Sequence, residues 1–138
     1  MRGDVILLEQ HHLFAANEIA PTLLQAIATT NGRYTITVAG ESGSGKSETA
    51  TAIAEVLDAA GISTVILQQD DYFVYPPKSN DVVRRENLSW IGPQEVKIEL
   101  LSLHLKAFLE GADQTVKPLI DYSADFICDE IFAFGNAQ

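Results

Sequence analysis

The sequence has one cysteine, Cys128, which excludes an internal disulfide and fits a reducing compartment. Basic residues are also scarce, because 9 Lys and Arg stand against 19 Asp and Glu and leave a net charge of −10. Proteins bind a nucleic-acid backbone through clustered Lys and Arg. The charge balance therefore argues against a nucleic-acid partner.

Long apolar segments are missing as well. No apolar run approaches the roughly 18 residues of a membrane-spanning helix. The first residues place an acid before a short apolar run, which is not the layout of a signal peptide. We therefore expect a cytoplasmic protein with no membrane partner.

The length and composition are those of one globular domain. The chain has 138 residues, of which 46% are apolar and 20% charged, and a chain of this size can bury a proper core. We expect residues 1–33 to form an N-terminal helical extension. Residues 34–138 are expected to form a nucleotide-binding core with an acceptor region.

One glycine-rich segment fits the phosphate-loop pattern G-x-x-x-x-G-K-[ST] at every specified position. Glycines let the backbone approach phosphates closely, and consecutive N–H groups then converge on the phosphate oxygens. The lysine suits the β- and γ-phosphates, and the hydroxyl of Ser47 suits Mg²⁺. The nucleotide-binding residues, with the acid that follows them, are Gly40, Glu41, Ser42, Gly43, Ser44, Gly45, Lys46, Ser47 and Glu48. The segment predicts ATP and Mg²⁺ as cofactors, and the alternative is a plain glycine-serine turn.

The surroundings of this segment match the setting that the pattern requires. A β-branched run at 34–39 precedes it, a helical pattern at 47–60 follows, and Gly61 and a second apolar run at 63–68 come next. Strand, helix and strand with short connections form a βαβ unit with parallel strands. Near-continuous apolar strands suit a sheet covered on both faces. We therefore expect a three-layer α/β phosphate-loop NTPase fold with a parallel sheet.

Two acids follow the second predicted strand. Because ligands bind at the carboxyl ends of parallel strands, Asp70 and Asp71 should lie near the γ-phosphate. A carboxylate there can take a proton from an attacking hydroxyl or hold Mg²⁺. The alternative is that the two acids only cap a turn.

The remaining segments add smaller expectations. Residues 70–88 read as a long irregular loop, which in a compact domain is commonly functional. A helix is predicted from Pro93 to about Glu110. His11 and His12 are adjacent and point to opposite sides, so we interpret them as surface or capping residues rather than metal ligands.

Three segments together resemble the uridine kinase and phosphoribulokinase-like group of phosphate-loop kinases. They are GESGSGKS at 40–47, VILQQDDYF at 65–73 and KPLIDY at 117–122. The resemblance implies that Asp70 is the general base and acts with Lys46 in catalysis. It places the third segment near the acceptor. The acceptor-binding residues are then expected to be Asp71, Tyr72, Phe73, Arg84, Arg85, Asp121 and Tyr122.

Departures from this family leave the acceptor open. Ile120 stands where uridine kinases have a tyrosine, and Asp125 stands where they have a histidine. The family also continues into a strand and an arginine-bearing lid after the third segment. We therefore expect the sheet to be incomplete at the C-terminus, either in a fragment of a longer kinase or in a shortened homologue.

These features favour an ATP-dependent phosphotransferase acting on a hydroxyl of a small molecule such as a nucleoside or a sugar. The alternative is a nucleotide-binding module, or a truncated kinase, without transferase activity. A GTPase-type switch is a weaker reading because the chain has no N-K-x-D segment. The sequence leaves open whether the chain forms homo-oligomers.

Overall fold

The computed structural model describes residues 1–3 and 5–138. The chain divides into two compact units. The loop unit comprises Val5–Leu67 and Phe134–Gln138, and the hairpin unit comprises Met1–Asp4 and Gln68–Ala133. The expectation of a single domain, made from length alone, stays a prediction.

Two helices build the loop unit: α1 at Gln10–Thr29 and α2 at Lys46–Ala59. Alanines at the contact let the two helix backbones approach closely, since Ala16 is 1% exposed and Ala52 is fully buried. Ile53 and Leu57 complete this buried cluster. Partly buried apolar residues surround it, namely Leu8, Leu23, Leu24, Ile27, Val38, Val56 and Ile62.

The helix predicted after the glycine-rich segment is confirmed within one residue at each end. Gly61 follows α2 with φ of 85°, a left-handed conformation that glycine adopts without strain at the end of a helix. Helix α1 is longer than its apolar stripe indicates, and it contains Pro21 in its interior.

The expected parallel sheet is not confirmed. Residues 34–39 and 63–68 are assigned to no strand, and the one sheet in the described part of the chain is an antiparallel pair. A strand is defined by ladder hydrogen bonds to a neighbour, and a β-branched composition alone does not provide them. Val38 instead contributes its side chain to the apolar cluster of the loop unit. The protein therefore contains α and β elements, with two strands in its described residues.

The hairpin unit contains two helices and the antiparallel sheet. Its helices are α3 at Pro77–Glu86 and α4 at Ile98–Leu109. Strands β1 at Gln114–Asp121 and β2 at Phe126–Ala133 pair in a register that runs from Gln114 opposite Ala133 to Asp121 opposite Phe126. Short 3₁₀ turns lie at Gln69–Tyr72, Leu88–Trp90 and Pro93–Glu95.

The prediction of an irregular segment at 70–88 is wrong, because α3 occupies its centre. Pro77 is the first residue of α3, a position where the missing N–H of proline costs nothing. The carboxylate of Asp125 accepts hydrogen bonds from the main-chain N–H groups of Lys78, at 2.8 Å, and Ser79, at 3.1 Å. These are first-turn groups that have no partner within a helix. The capping residue is thus distant in sequence, which hides it from local patterns.

The helix predicted from Pro93 begins later, at Ile98, because hydrogen bonds to residues distant in sequence hold the preceding backbone. The N–H of Val74 donates to the carbonyl of Glu95, and the N–H of Lys97 donates to the carbonyl of Tyr72, each at 2.8 Å. These bonds hold residues 95–97 against residues 72–74, and Val96 between them is extended. The backbone around 95–97 is therefore unable to join the helix.

Truncation of the buried cluster should destabilise the loop unit. Leu57 is 1% exposed, so Leu57→Ala is expected to cost about 2–5 kcal/mol of unfolding free energy through lost transfer energy and a cavity. Leu7→Ala is the matched control, because Leu7 lies in the same unit and is 68% exposed. Urea denaturation followed by circular dichroism measures both. Equal midpoints for the two variants would contradict this packing.

Candidate functional site

The phosphate loop of the loop unit has the backbone that its glycines predict. Gly43 and Gly45 adopt φ of 74° and 77°, a left-handed conformation that other residues enter at a cost. Gly45 is also the N-cap of α2. At Gly40, a Cβ atom would stand 2.7 Å from the hydroxyl oxygen of Ser44, so a side chain there would require that hydroxyl to rotate away.

The loop leads directly into the positive end of a helix. The first N–H groups of α2 have no partner within the helix and carry its partial positive charge. Lys46 is the first residue of α2, and its ammonium donates to the main-chain oxygen of Glu41 at 2.6 Å, which keeps the cation on the loop. Ser47 is the next residue and is half-buried. Converging amides, a cation and a hydroxyl form a site suited to phosphate oxygens and a divalent ion.

A histidine that the sequence analysis interpreted as a surface or capping residue lies against this loop. His12 caps α1, since its Nδ1 accepts the main-chain N–H of Glu9 at 3.1 Å. The other nitrogen, Nε2, lies 3.0 Å from the position that a Cβ atom of Gly45 would take. The capping interpretation is confirmed, but the expectation that His11 and His12 point to opposite sides is wrong, since their ring centroids lie 3.9 Å apart. The proximity to the loop was missed because no local pattern links residues 33 positions apart.

In the hairpin unit, the two predicted acids have opposite environments. Both lie in the 3₁₀ turn Gln69–Tyr72, where Asp70 is exposed and Asp71 is 3% exposed. Adjacent residues of a tight turn point in different directions, which explains the contrast. Asp70 is available to a ligand, and Asp71 is part of the interior.

The carboxylate of Asp71 is held by buried partners. Its Oδ2 accepts from the ammonium of Lys117 at 2.7 Å, and its Oδ1 accepts from the N–H of Ile120 at 3.1 Å. Lys117 is 2% exposed and also contacts the carboxylate of Glu130 at 2.8 Å and the carbonyl of Pro118 at 3.1 Å. The arrangement ties the turn to β1 and to its partner strand. Asp71 therefore holds the turn that carries Asp70 against the sheet.

The next residue of the turn is anchored to α4. The hydroxyl of Tyr72 and the Nδ1 of His104 share a hydrogen bond at 2.9 Å, and both side chains are buried. Burial and the nearby charge of Asp71 raise the pKa of Tyr72 to about 12, so the phenol stays neutral. Burial and the ammonium of Lys117 lower the pKa of His104 below its ordinary 6.5. The next residue, Phe73, bridges Val96 through its backbone.

The two predicted arginines are already paired. Arg84 donates through Nε to Glu95 at 2.7 Å, and the amide of Asn80 donates to the same carboxylate at 2.7 Å. Glu95 is 3% exposed; burial acts to raise its pKa, but these hydrogen bonds and one from the N–H of Gly92 outweigh burial and lower it. Arg85 is exposed and pairs with Asp81 at 2.8 Å, one helical turn away. Arg84 thus neutralises a buried carboxylate, and Arg85 faces solvent.

The third predicted segment ends in the hairpin turn. Asp121 is the last residue of β1, and its Oδ1 accepts from the hydroxyl of Ser123 at 2.6 Å and from the N–H of Ala124 at 3.0 Å. Those two bonds lower the pKa of Asp121. Tyr122 is 48% exposed at the same turn. Both side chains are accessible at one end of the hairpin.

Two further kinds of feature are absent from the described residues. In the described part of the chain, no cluster of three or more His, Cys, Asp or Glu residues could hold a metal ion. Among residues 1–3 and 5–138, no helix has both the length and the apolar character needed to cross a membrane.

A family model described as Zeta toxin matches residues 23–99, which is more than half of the chain. The matched range covers the phosphate loop, α2, the turn with Asp70 and Asp71, and α3. The family belongs to the kinase-like P-loop NTPases, which in general use ATP and Mg²⁺. No curated protein and no solved structure matches the chain at a significant level.

Removing the buried ammonium should destabilise the hairpin unit strongly. Lys117→Met removes the nearer of two ammonium groups beside the buried carboxylate of Asp71, at 2.7 Å, and leaves only the N-terminal ammonium of Met1, at 3.3 Å. Breaking a buried pair typically costs about 3–5 kcal/mol, and we expect the lower end of that range because Met1 remains. Lys106→Met is the matched control, because Lys106 is 69% exposed and pairs only one turn away with Glu110. Its expected cost is below about 1 kcal/mol. Denaturation midpoints compare the two, and a Lys117→Met protein as stable as Lys106→Met would refute the role of this pair.

His104 should make stability fall on mild acidification. Its pKa is below the ordinary 6.5 in the folded protein, so the unfolded chain binds more protons as the pH falls below that value. Stability is then fully present above pH 6.5 and declines below it, by up to about 1.4 kcal/mol per pH unit. His104→Asn keeps a hydrogen-bonding group for Tyr72 but does not titrate.

Unfolding free energies measured between about pH 5 and pH 7.5 test this dependence. The wild type should lose stability across the range, and His104→Asn should be flatter. His11→Asn, at an exposed position, should keep the slope of the wild type. If His104→Asn retained the full slope, another group would be responsible.

Proposed function

We propose that this chain, which belongs to the Zeta toxin family, is an ATP-dependent phosphotransferase that phosphorylates a hydroxyl group of a small molecule. A nucleoside, a sugar or a related metabolite is the expected class of acceptor. The comparisons support a kinase-like nucleotide-binding protein, and the acceptor chemistry is the step that we add.

The observation that supports the proposal most is the geometry of the phosphate loop. Gly43 and Gly45 are left-handed, and the loop runs into the N-terminus of α2. Left-handed residues at the entry to a helix turn successive N–H groups towards one point, which is the backbone of an anion-binding nest. Anionic phosphates satisfy the unpaired N–H groups there and interact favourably with the helix dipole.

On the donor side, the roles follow from the chemistry of each group. The loop amides and Lys46 would hold the β- and γ-phosphates. Lys46 already lies on the loop through its bond to Glu41, so a rotation of its flexible side chain suffices to reach a phosphate. The hydroxyl of Ser47 would ligate Mg²⁺, which neutralises charge that develops during transfer.

On the acceptor side, Asp70 would take the proton of the acceptor hydroxyl. The acceptor oxygen then bonds to the γ-phosphorus, the bond to the β-phosphate oxygen breaks, and ADP leaves. Asp70 is exposed, as a base that meets a substrate must be. Asp71 and Tyr72 would act indirectly, because their buried bonds fix the turn that presents Asp70.

The accessible side chains among the predicted acceptor residues define the rest of the proposed pocket. Arg85, Asp121 and Tyr122 have solvent-facing surface, so they can contact an acceptor. The fold that we propose is the three-layer phosphate-loop arrangement with a parallel sheet. The β-branched runs at 34–39 and 63–68 support it. A cytoplasmic location is likewise a proposal.

One observation favours a second candidate, a nucleotide-binding module without transfer. Kinases of the resembling group place an arginine over the transferred phosphate. Arg84 is bound to the buried carboxylate of Glu95, and releasing it would leave that carboxylate without its charged partner. Only Arg85 of this pair is then free enough to move, and its partner Asp81 is an exposed residue. Intact nucleotide binding without turnover would fit this candidate.

Replacement of the proposed base should separate chemistry from binding. Asp70→Asn is expected to lower kcat by at least about 100-fold, because the amide cannot accept the hydroxyl proton. The affinity for Mg·ATP should be unchanged, since Asp70 is assigned to the acceptor. ADP release, measured with nucleosides, pentose phosphates and pantothenate as acceptors, follows the activity. Calorimetric titration of Mg·ATP follows binding.

Two variants serve as controls in the same assays. Asp113→Asn changes an exposed acid outside the proposed site and should behave as the wild type. Lys46→Ala should lose most of the nucleotide affinity. Unchanged turnover in Asp70→Asn would remove the base assignment, and nucleotide binding without any turnover in the wild type would establish the second candidate.

A further inference from the structure

We propose that His12 is an additional phosphate ligand of the loop, donating its Nε2–H to a phosphate oxygen of the bound nucleotide. The inference rests on the proposed function, since it requires that the loop bind a nucleotide. It adds a side chain from α1 to a site otherwise built from residues 40–48.

The position of the ring is the first support. His12 is in the first turn of α1, and its Nε2 lies 3.0 Å, and its Cδ2 3.7 Å, from where a Cβ of Gly45 would stand. Gly45 is the last loop residue before α2. The edge of the imidazole therefore borders the point where the loop amides turn into the helix.

The hydrogen bond on the other side of the ring sets the location of its proton. The main-chain N–H of Glu9 donates to Nδ1 of His12 at 3.1 Å, so Nδ1 must carry a lone pair. In a neutral imidazole the proton then resides on Nε2. The nitrogen that borders the loop is thus a donor, as a phosphate oxygen requires.

The local electrostatics suit this role. The loop gathers donors from the first turn of α2 and the ammonium of Lys46, and together they favour an anion. A neutral N–H adds a donor without adding repulsion to that cation. No acidic side chain is recorded in contact with the ring of His12 in the described residues, whereas His11 is 3.3 Å from a carboxylate oxygen of Glu9. The two histidines therefore differ in function although they are neighbours.

The two nitrogens of His12 can be tested separately by substitution. His12→Asn places an amide near the position of Nδ1, so it keeps the cap of α1 and loses the group that reaches the loop. His12→Gln places an amide near the position of Nε2, so it keeps a donor towards the loop. His11→Asn is the neighbouring control: its ring contacts Glu9 and also packs on the ring of His12, with centroids 3.9 Å apart, so this variant tests whether that packing alone matters.

Calorimetric titration of the full chain with Mg·ATP gives the decisive comparison. Loss of one hydrogen bond to a charged group should weaken binding by at least about tenfold in His12→Asn. His12→Gln should lose less, and His11→Asn should match the wild type. Thermal unfolding without nucleotide should be similar in His12→Asn and the wild type, because the cap is retained.

A second measurement needs no variant. In the wild type, the ¹⁵N resonances of His12 should show the Nε2–H tautomer, and its Nε2 resonance should shift when Mg·ATP is added. Equal affinity of His12→Asn and the wild type, or an Nε2 resonance unaffected by ATP, would overturn the inference while leaving the proposed function in place. Absence of ATP binding by the wild type would overturn both the inference and the proposed function. Where the wild type does bind, loss of binding in Lys46→Ala shows that the nucleotide is held at the loop.

Discussion

A carboxylate that is almost fully buried must be paired, and this constraint organises the hairpin unit. Asp71 meets it through Lys117, whose ammonium also reaches the second strand through Glu130. The 3₁₀ turn is thereby attached to the sheet at one residue, while the next residue, Tyr72, attaches it to α4. Asp70 directly precedes Asp71 and Tyr72 in this turn. Its exposed carboxylate therefore projects from a turn that is bonded both to the sheet and to α4. The turn that carries the proposed general base is thus held in place by buried neighbours.

The loop unit depends on main-chain geometry instead. Its donors are mostly amides set by two left-handed glycines, and amides recognise phosphate without help from net charge. This explains how a chain with a net charge of −10 can present an anion site. His12 extends the same logic, because its neutral ring donates a hydrogen bond while adding no charge. The proposed recognition of an anion is therefore local and does not depend on the net charge of the chain.

What the sequence could predict depends on how far apart the interacting residues are. The glycine loop, α2 and the glycine that ends it are each determined by residues within a few positions, and the structure has them where the pattern puts them. Asp125 at the start of α3 and Lys117 beside Asp71 each act 46 positions from their partners, and no local pattern reports such pairs. At 34–39 the β-branched composition predicted a strand, and this is not confirmed, because no ladder is present there among the described residues. Hydrogen bonds between polar residues far apart in the sequence therefore cannot be predicted from local patterns.

The contrast between buried, paired side chains and exposed ones also affects which residues could determine specificity for the acceptor. The resemblance to uridine kinases implies that Asp71, Tyr72 and Arg84 contact the acceptor. In the structure, however, each of these side chains forms its hydrogen bonds with a buried partner. Redirecting any of them to a substrate would leave that partner unsatisfied, at a cost comparable to the binding energy gained. Selection of the acceptor must then rest on side chains with exposed surface, such as Tyr122 and Arg85. Changes at the buried residues should act on stability before they act on specificity, so kinetic effects measured there need to be corrected for the fraction of folded protein.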